Sequence, residues 1–240
     1  MHEQSPTDVI GEQTGAALYT MQLELSKVFT EIAAAIQKLP GEIRPAISSL
    51  ANLGWFPSGE MGFSEIHDFR ALCDSGDKPA ADTAMIEWLQ GELGHIQMRA
   101  SNRFPNRSHI LTSAFNAHSA GLYELSIPVL MAQVEGMCLE VVGTKLFSTK
   151  KGIPATRAAT DRFGRQMALS DALLLPFRES NGFTASEATR HQWPDTPNRH
   201  EVLHGIATDY GTRKNSFKTI SLVEYLITFV APRFDPTWPT

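Results

Sequence analysis

Apolar residues recur three and four positions apart through the long segments of this sequence, a period that packs helices through one face. Over residues 8–38 the stripe is Leu18, Met21, Leu25, Val28, Phe29, Ile32 and Ile36, ended by Pro40-Gly41. A short helix is expected over 42–53, then a turn or extended piece from Gly54 to Gly59, then a helix from about 80 to 100 with Met85, Leu89, Leu93 and Ile96 inward. Asn102 to Ser108, with Pro105 at its middle, reads as a connector, and a boundary is expected there. Residues 109–120 and 122–142 read as two helices joined near Gly121. Pro128 must kink the second or mark its true start, because it lacks a backbone donor, and Gly143 stops it.

Residues 144–160 are polar and carry the cationic pair Lys150-Lys151, ahead of a helix expected at 160–176. Residues 179–197 are rich in Ser, Thr, Asn, Gly and Pro and are expected to form an irregular, exposed loop. The last helix places Phe217, Ile220, Val223, Ile227 and Val230 on one face, with Asn215 or Ser216 as its cap. The expected fold is therefore all-α. An N-terminal helical region of unassigned role covers 1–107, a second helical domain 108–231 and an irregular tail 232–240.

With 42% hydrophobic and 20% charged residues, the chain has the composition of a folded globular protein rather than a disordered one. Its longest apolar run, Ile127 to Val142, is interrupted by Gln133, Glu135 and Glu140, so no membrane span is expected. The stretch from Met1 to Pro6 has neither a basic cluster nor a following apolar core, which makes cytoplasm the expected location. Cys73 and Cys138 form no CxxC, so they are expected as buried, reduced thiols rather than as a disulfide or a thiolate zinc site. The net charge of −5 is unevenly spread: residues 1–140 carry 8 Lys and Arg against 17 Asp and Glu, whereas residues 141–240 carry 13 against 9. A basic C-terminal part permits a polyanionic partner without requiring one.

The chemistry is concentrated in Asn198-Arg199-His200-Glu201-Val202-Leu203-His204-Gly205. Thr196 can cap a helix with Pro197 in its first position, and Gly205 sits where a glycine would end it. His200 and His204 are four residues apart and share a face. His200 to His204 also spells HExxH, in which two histidines bind zinc and Glu201 would be the general base; Glu224, separated from His204 by a gap of 19 residues, stands where a third ligand would. Only three positions of that pattern are fixed, and Gly205 cuts the helix short, so a zinc peptidase on His200, His204 and Glu224 ranks third among the readings.

Taken as an arginine and a histidine separated by His200, Glu201, Val202 and Leu203, the same segment resembles the HEPN superfamily. Its hallmark is an arginine, then usually Asn, Asp or His, then a histidine a few residues on. Ala120-Gly121-Leu122-Tyr123-Glu124-Leu125-Ser126-Ile127 is similar to the helix-turn-helix of that superfamily, and Gln133-Val134-Glu135-Gly136 to the acidic position of its second helix. The motif segment with Asp209-Tyr210-Gly211-Thr212 and Asn215-Ser216 looks like an uncharacterised bacterial branch of it. The resemblance covers about residues 109–231, and residues 1–107 match no family. It implies an antiparallel HEPN-like bundle, a homodimer and a metal-independent endoribonuclease of toxin or antiphage-defence type. No cofactor is implied, RNA is the substrate, and an antitoxin or defence protein is a further possible partner. A catalytically silent nucleotide- or RNA-binding or assembly module is the alternative.

RNA cleavage without a metal uses the neighbouring 2′-hydroxyl as nucleophile and needs a base, an acid and positive charge on the phosphorane. Histidine titrates in the range the first two require, and arginine holds phosphate through two parallel bonds. The candidate catalytic residues are Arg199, His204 and His200; the candidate substrate contacts are Asn198, Tyr210 and Glu135. At about 100° per residue, Arg199 and His204 project about 140° apart around an ideal helix, so a second chain or a bent arginine is needed to bring them together.

Overall fold

The computed structural model describes residues 41–150, 153–164 and 172–234, together with Met21 and Lys27. The chain divides into two compact units, Met1–Pro40 and Gly41–Thr240. In the first, Met21 and Lys27 are helical and exposed, and the rest of the helix expected over 8–38 lies outside the described residues. All that follows concerns the second unit.

Helix α1 (residues 41–52) ends at Gly54, whose φ of +79° only glycine adopts freely. Helix α2 (Phe63–Asp74) starts where the Glu65 carboxylate reaches back to accept the Gly62 N–H at 2.7 Å. Helix α3 (Lys78–Arg103) is capped by Asp77, with Pro79 in its first turn, and buries Met85, Leu89 and Ile96 as their spacing predicts. A short 3₁₀ turn (Pro105–Arg107) leads into α4 (Ser108–Ser119); Gly121, at φ +75°, turns the chain into α5 (Tyr123–Val142). Gly143 closes α5 in the left-handed conformation.

After α5 come a two-residue antiparallel pair, β1 (Thr149–Lys150) with β2 (Ile153–Pro154), and helix α6 (Arg157–Gly164). The helix expected at 160–176 is seen only in part, because residues 165–171 lie outside the described set, and Leu175–Phe177 form a 3₁₀ turn. Helix α7 (Arg199–Leu203) carries the motif. Helix α8 (Arg213–Tyr225) runs on through a π-turn (Leu226–Val230) into α9 (Ala231–Phe234), so the expected tail begins as helix, and residues 235–240 lie outside the described set.

The second unit is mostly helical, with one two-stranded ribbon among its described residues. Helices α4 and α5 form a hairpin; α8 lies against α5 and α3, and α3 also packs on α4. The boundary expected at 107 falls inside this unit, at the turn between two packed helices that share one core, because α3 buries a full apolar face against α4 and α8.

Helix α8 departs from the one-faced pattern expected of it. All residues from Ser216 to Ile227 are buried, and its cap is Thr212, which accepts the Asn215 N–H at 3.1 Å, not Asn215 or Ser216. A helix buried all round must pair its polar side chains internally. The Ser216 hydroxyl meets His118 Nδ1 at 2.7 Å, and burial pulls the His118 imidazole down to about 4. The Glu224 carboxylate accepts from Arg99 and from the Ser58 hydroxyl, both at 2.7 Å; burial still raises its pKa above the ordinary carboxylate value. Lys218 donates to the Asp195 carbonyl at 2.9 Å and lies over the Trp55 ring, with burial lowering its pKa to about 8. Through that bond α8 holds the strand of chain leading into the motif.

Helix α5 has the length and apolarity of a membrane span, yet it serves here as a core helix. Ile127, Leu130, Met131, Val134 and Met137 are buried in the core, and its Gln133 and Glu140 bond Arg107 across from the end of α3. Gly136 leaves room for the Arg107 guanidinium to lie against α5, because a Cβ there would stand 2.5 Å from it and displace the flexible side chain. Pro128 sits inside α5 rather than at its start. It cannot donate to the Glu124 carbonyl four residues back, and the Tyr210 hydroxyl donates to that carbonyl instead, at 3.1 Å. The loop after the motif is thus fastened to the place where the proline opened the helix ladder. Cys138 is buried and Cys73 half-buried; both are free thiols.

Candidate functional site

The motif helix is short because its cap and its stop are close together. Asn198, not Thr196, is the N-cap: its Oδ1 accepts the N–H groups of His200 (3.0 Å) and Glu201 (3.3 Å). Its Nδ2 donates to the carbonyls of Gly182 and Ala185, both at 2.9 Å, so this 3% exposed side chain stitches the 182–185 turn to the start of α7. Thr196 is a buried plug instead. A Cβ at Gly54 or at Gly182 would come within 2.4 Å of its side chain, which explains two small residues far apart in sequence. At the other end Gly205, at φ +70°, lets the Ile206 N–H bond the Glu201 carbonyl at 2.8 Å.

The loop expected to be exposed over 179–197 is irregular, but Asn181 to Ala185 and Thr196 are buried, while Glu179 and the stretch from Ser186 to Asp195 reach solvent. Phe183 packs on Phe56 of the core, ring centroids 5.8 Å apart, which fixes the wall against which α7 starts.

Arg199 is half-buried. Its guanidinium lies over the Phe147 ring at 5.9 Å, and its Nε is shielded from solvent without a hydrogen-bond partner. Among the described residues it forms no ion pair, whereas Arg70, Arg99, Arg107, Arg178 and Arg190 each have a carboxylate. His200 is exposed beside it, and the two line a cleft of about 230 Å³ with Phe147, Thr149, Thr184, Ser186 and Glu187. His204, also exposed, stacks obliquely on His200, with ring centroids 4.5 Å apart. Arg199 and His200 therefore open on one cleft, and His204 adjoins it through its neighbour's ring.

The zinc arrangement is not assembled. Glu224 is buried on α8 against Arg99 and Ser58, Glu201 is held by an ion pair with Arg190, and no three His, Cys, Asp or Glu groups converge among the described residues. His200 and His204 lack the third ligand that the HExxH reading drew from Glu224.

The three candidate substrate contacts have structural tasks. Asn198 spends its side chain on the scaffold, as described. Glu135 accepts the Phe147 N–H at 2.9 Å, so it positions the ring beneath Arg199 and touches the cleft only at one remove. Tyr210 anchors its loop to α5, and its own carbonyl accepts from the Asn215 side chain at 3.0 Å. Replacing Tyr210 by Phe should cost about 1 kcal/mol in chemical denaturation, the net worth of one such bond, with the far-ultraviolet circular dichroism unchanged. A loss below measurement would mean that water replaces the hydroxyl at Glu124.

Sequence reasoning missed Phe147, Thr149, Ser186 and Arg190. None lies within a motif, and only the packing of the 144–150 and 181–193 segments on α7 brings them to the site. His118 is used in the core, and His67, His95, His109 and His191 lie outside the cleft. Comparison of the chain with protein-family models, with curated proteins and with solved structures finds no match in any of the three.

Proposed function

We propose that this chain is a metal-independent endoribonuclease of the HEPN type, with Arg199 as the phosphate clamp and His204 and His200 as the acid–base pair. The observation that carries the reading is the state of Arg199. It is the cleft's guanidinium, no acceptor among the described residues engages it, and the exposed imidazole of His200 lines the cleft with it, with His204 stacked on His200. A guanidinium with one face on an aromatic ring and no carboxylate of its own is prepared for an anionic ligand.

In the reaction one imidazole takes the proton of the 2′-hydroxyl and O2′ attacks phosphorus. Arg199 stabilises the added negative charge on the non-bridging oxygens. The second imidazole, protonated, gives its proton to the departing 5′-oxygen. The products are a 2′,3′-cyclic phosphate and a 5′-hydroxyl, and the two imidazoles exchange protonation states. A homodimer would place a second Arg199 and His204 across the same cleft, and the exposed Leu203 (38%) and Ile206 (62%) supply apolar contact area beside the histidines. Such an activity requires restraint in its own cell, which fits a toxin or antiphage-defence role with an antitoxin or defence partner.

Incubation of the purified protein with RNA in excess EDTA should yield cyclic-phosphate ends at an undiminished rate. His204→Ala and His200→Ala should each slow cleavage, His204→Ala by about 10²- to 10⁴-fold, the range for removing a general acid or base. Cleavage abolished by EDTA and restored by zinc would sink the proposal. RNA binding that survives in every variant, with no cleavage by the wild type, would instead identify a silent RNA-binding module.

A further inference from the structure

The cleft at Arg199 does not end at Thr149 and Ser186. A second depression of about 170 Å³ shares those two residues and continues past Ser180 and Thr189 to Gln192 and Trp193. The result is one trough with a cationic, imidazole-bearing end and an aromatic end. Trp193 closes the 3₁₀ turn Arg190–Gln192, its N–H bonded to the Arg190 carbonyl at 2.9 Å and its own carbonyl accepting from Arg190 Nη1 at 3.4 Å. Arg190 is in turn paired with Glu201 of the motif helix. The backbone that carries the indole is thereby tied to α7, although Trp193 lies several residues outside the motif. The indole is half-buried, and its N–H has no acceptor among the described residues.

We propose that this aromatic end is a nucleobase subsite. The base next to the scissile phosphate stacks on Trp193, and the Gln192 amide is available to its edge. This inference rests on the ribonuclease reading above and sharpens it, because it selects single-stranded RNA. A base can lie on the indole while its phosphate meets Arg199 only if it has left any duplex, and every base offers a face to stack. Of the trough's polar walls, Thr149 offers its hydroxyl to sugar and backbone oxygens, while the Ser186 and Thr189 hydroxyls meet each other at 3.0 Å.

The test is equilibrium binding of a single-stranded oligoribonucleotide with a 2′-deoxy nucleotide at the cleavage position, compared with versions made abasic at each position in turn. In the wild type one abasic position beside the scissile bond should weaken binding about 5- to 150-fold. In Trp193→Ala the intact oligonucleotide should already bind that much more weakly, and the abasic change should add nothing. Trp193→Phe should retain most of the discrimination. If Trp193→Ala fails to fold, Trp193→Leu against Trp193→Phe decides between bulk and stacking. Equal abasic losses in wild type and in the folded variants would overturn the subsite while leaving the ribonuclease reading intact. A wild type that neither binds nor cuts RNA would remove both.

Discussion

Arg199→Ala should lower RNA cleavage by about 10²- to 10³-fold or more, the cost of removing a group that stabilises charge only in the transition state, while the folded state is barely touched. The two halves of this expectation come from the same contacts. The guanidinium's one partner among the described residues is the Phe147 ring, worth about 0.5 to 1 kcal/mol at a partly exposed site. Against that, its Nε is desolvated without an acceptor, and truncation relieves a comparable or larger cost. Thermal unfolding of Arg199→Ala should therefore follow the wild type closely. Arg199→Lys keeps the charge but loses the two-pronged geometry, and should recover only part of the rate. A variant that melts early yet cuts RNA normally would make Arg199 a structural residue and leave the site without its phosphate clamp.

Helices were legible wherever one face alone had to be buried. The spacing of Met85, Leu89 and Ile96 located α3, and glycines at 121 and 143 marked real turns. The spacing of Phe217, Ile220, Val223, Ile227 and Val230 predicts a single buried face for α8, yet Lys218 and Glu224 are buried as well. Their partners are Asp195, Asp82, Arg99 and Ser58, and three of the four lie more than 100 residues away. No local period carries that information. The loop 179–197 is more buried than its composition predicts for a related reason: its small polar residues signal irregular backbone, which is present, but Phe183 and Thr196 anchor it in the core through contacts with Phe56, Gly54 and Gly182.

The motif's position on a short helix was readable from the pattern of cap and glycine, although the cap proved to be Asn198. The shape of the site was not. An ideal helix gives only angles between side chains; it does not say that Phe147 supplies a floor for Arg199, that Glu135 holds Phe147, or that Arg190 occupies Glu201. The decoy zinc pattern fails for the same kind of reason. A carboxylate at a suitable interval along the chain, Glu224, is committed in space to an arginine on another helix.

Asn198→Ala should destabilise the second unit by about 3 to 5 kcal/mol, a large part of the roughly 5 to 15 kcal/mol that holds a typical domain. The loss has two components that variants can separate. Removing Oδ1 strips the cap from α7, worth about 0.5 to 2 kcal/mol. Removing Nδ2 leaves the Gly182 and Ala185 carbonyls without their shared donor in a buried turn, at about 1 to 3 kcal/mol for each that water cannot reach. Asn198→Ser should keep much of the cap and lose the turn. Asn198→Asp should cap at least as well but set a carboxylate against two carbonyl oxygens, so it should be the less stable of the two despite being the closer in shape. Cleavage should fall in each in step with the loss of α7, because the cap holds the N–H groups of His200 and Glu201 in the first turn that carries Arg199 and His200. If Asn198→Ala instead unfolds like the wild type and only weakens RNA binding, the side chain belongs to the substrate and the stitch between the turn and the motif helix is not what holds the site in place.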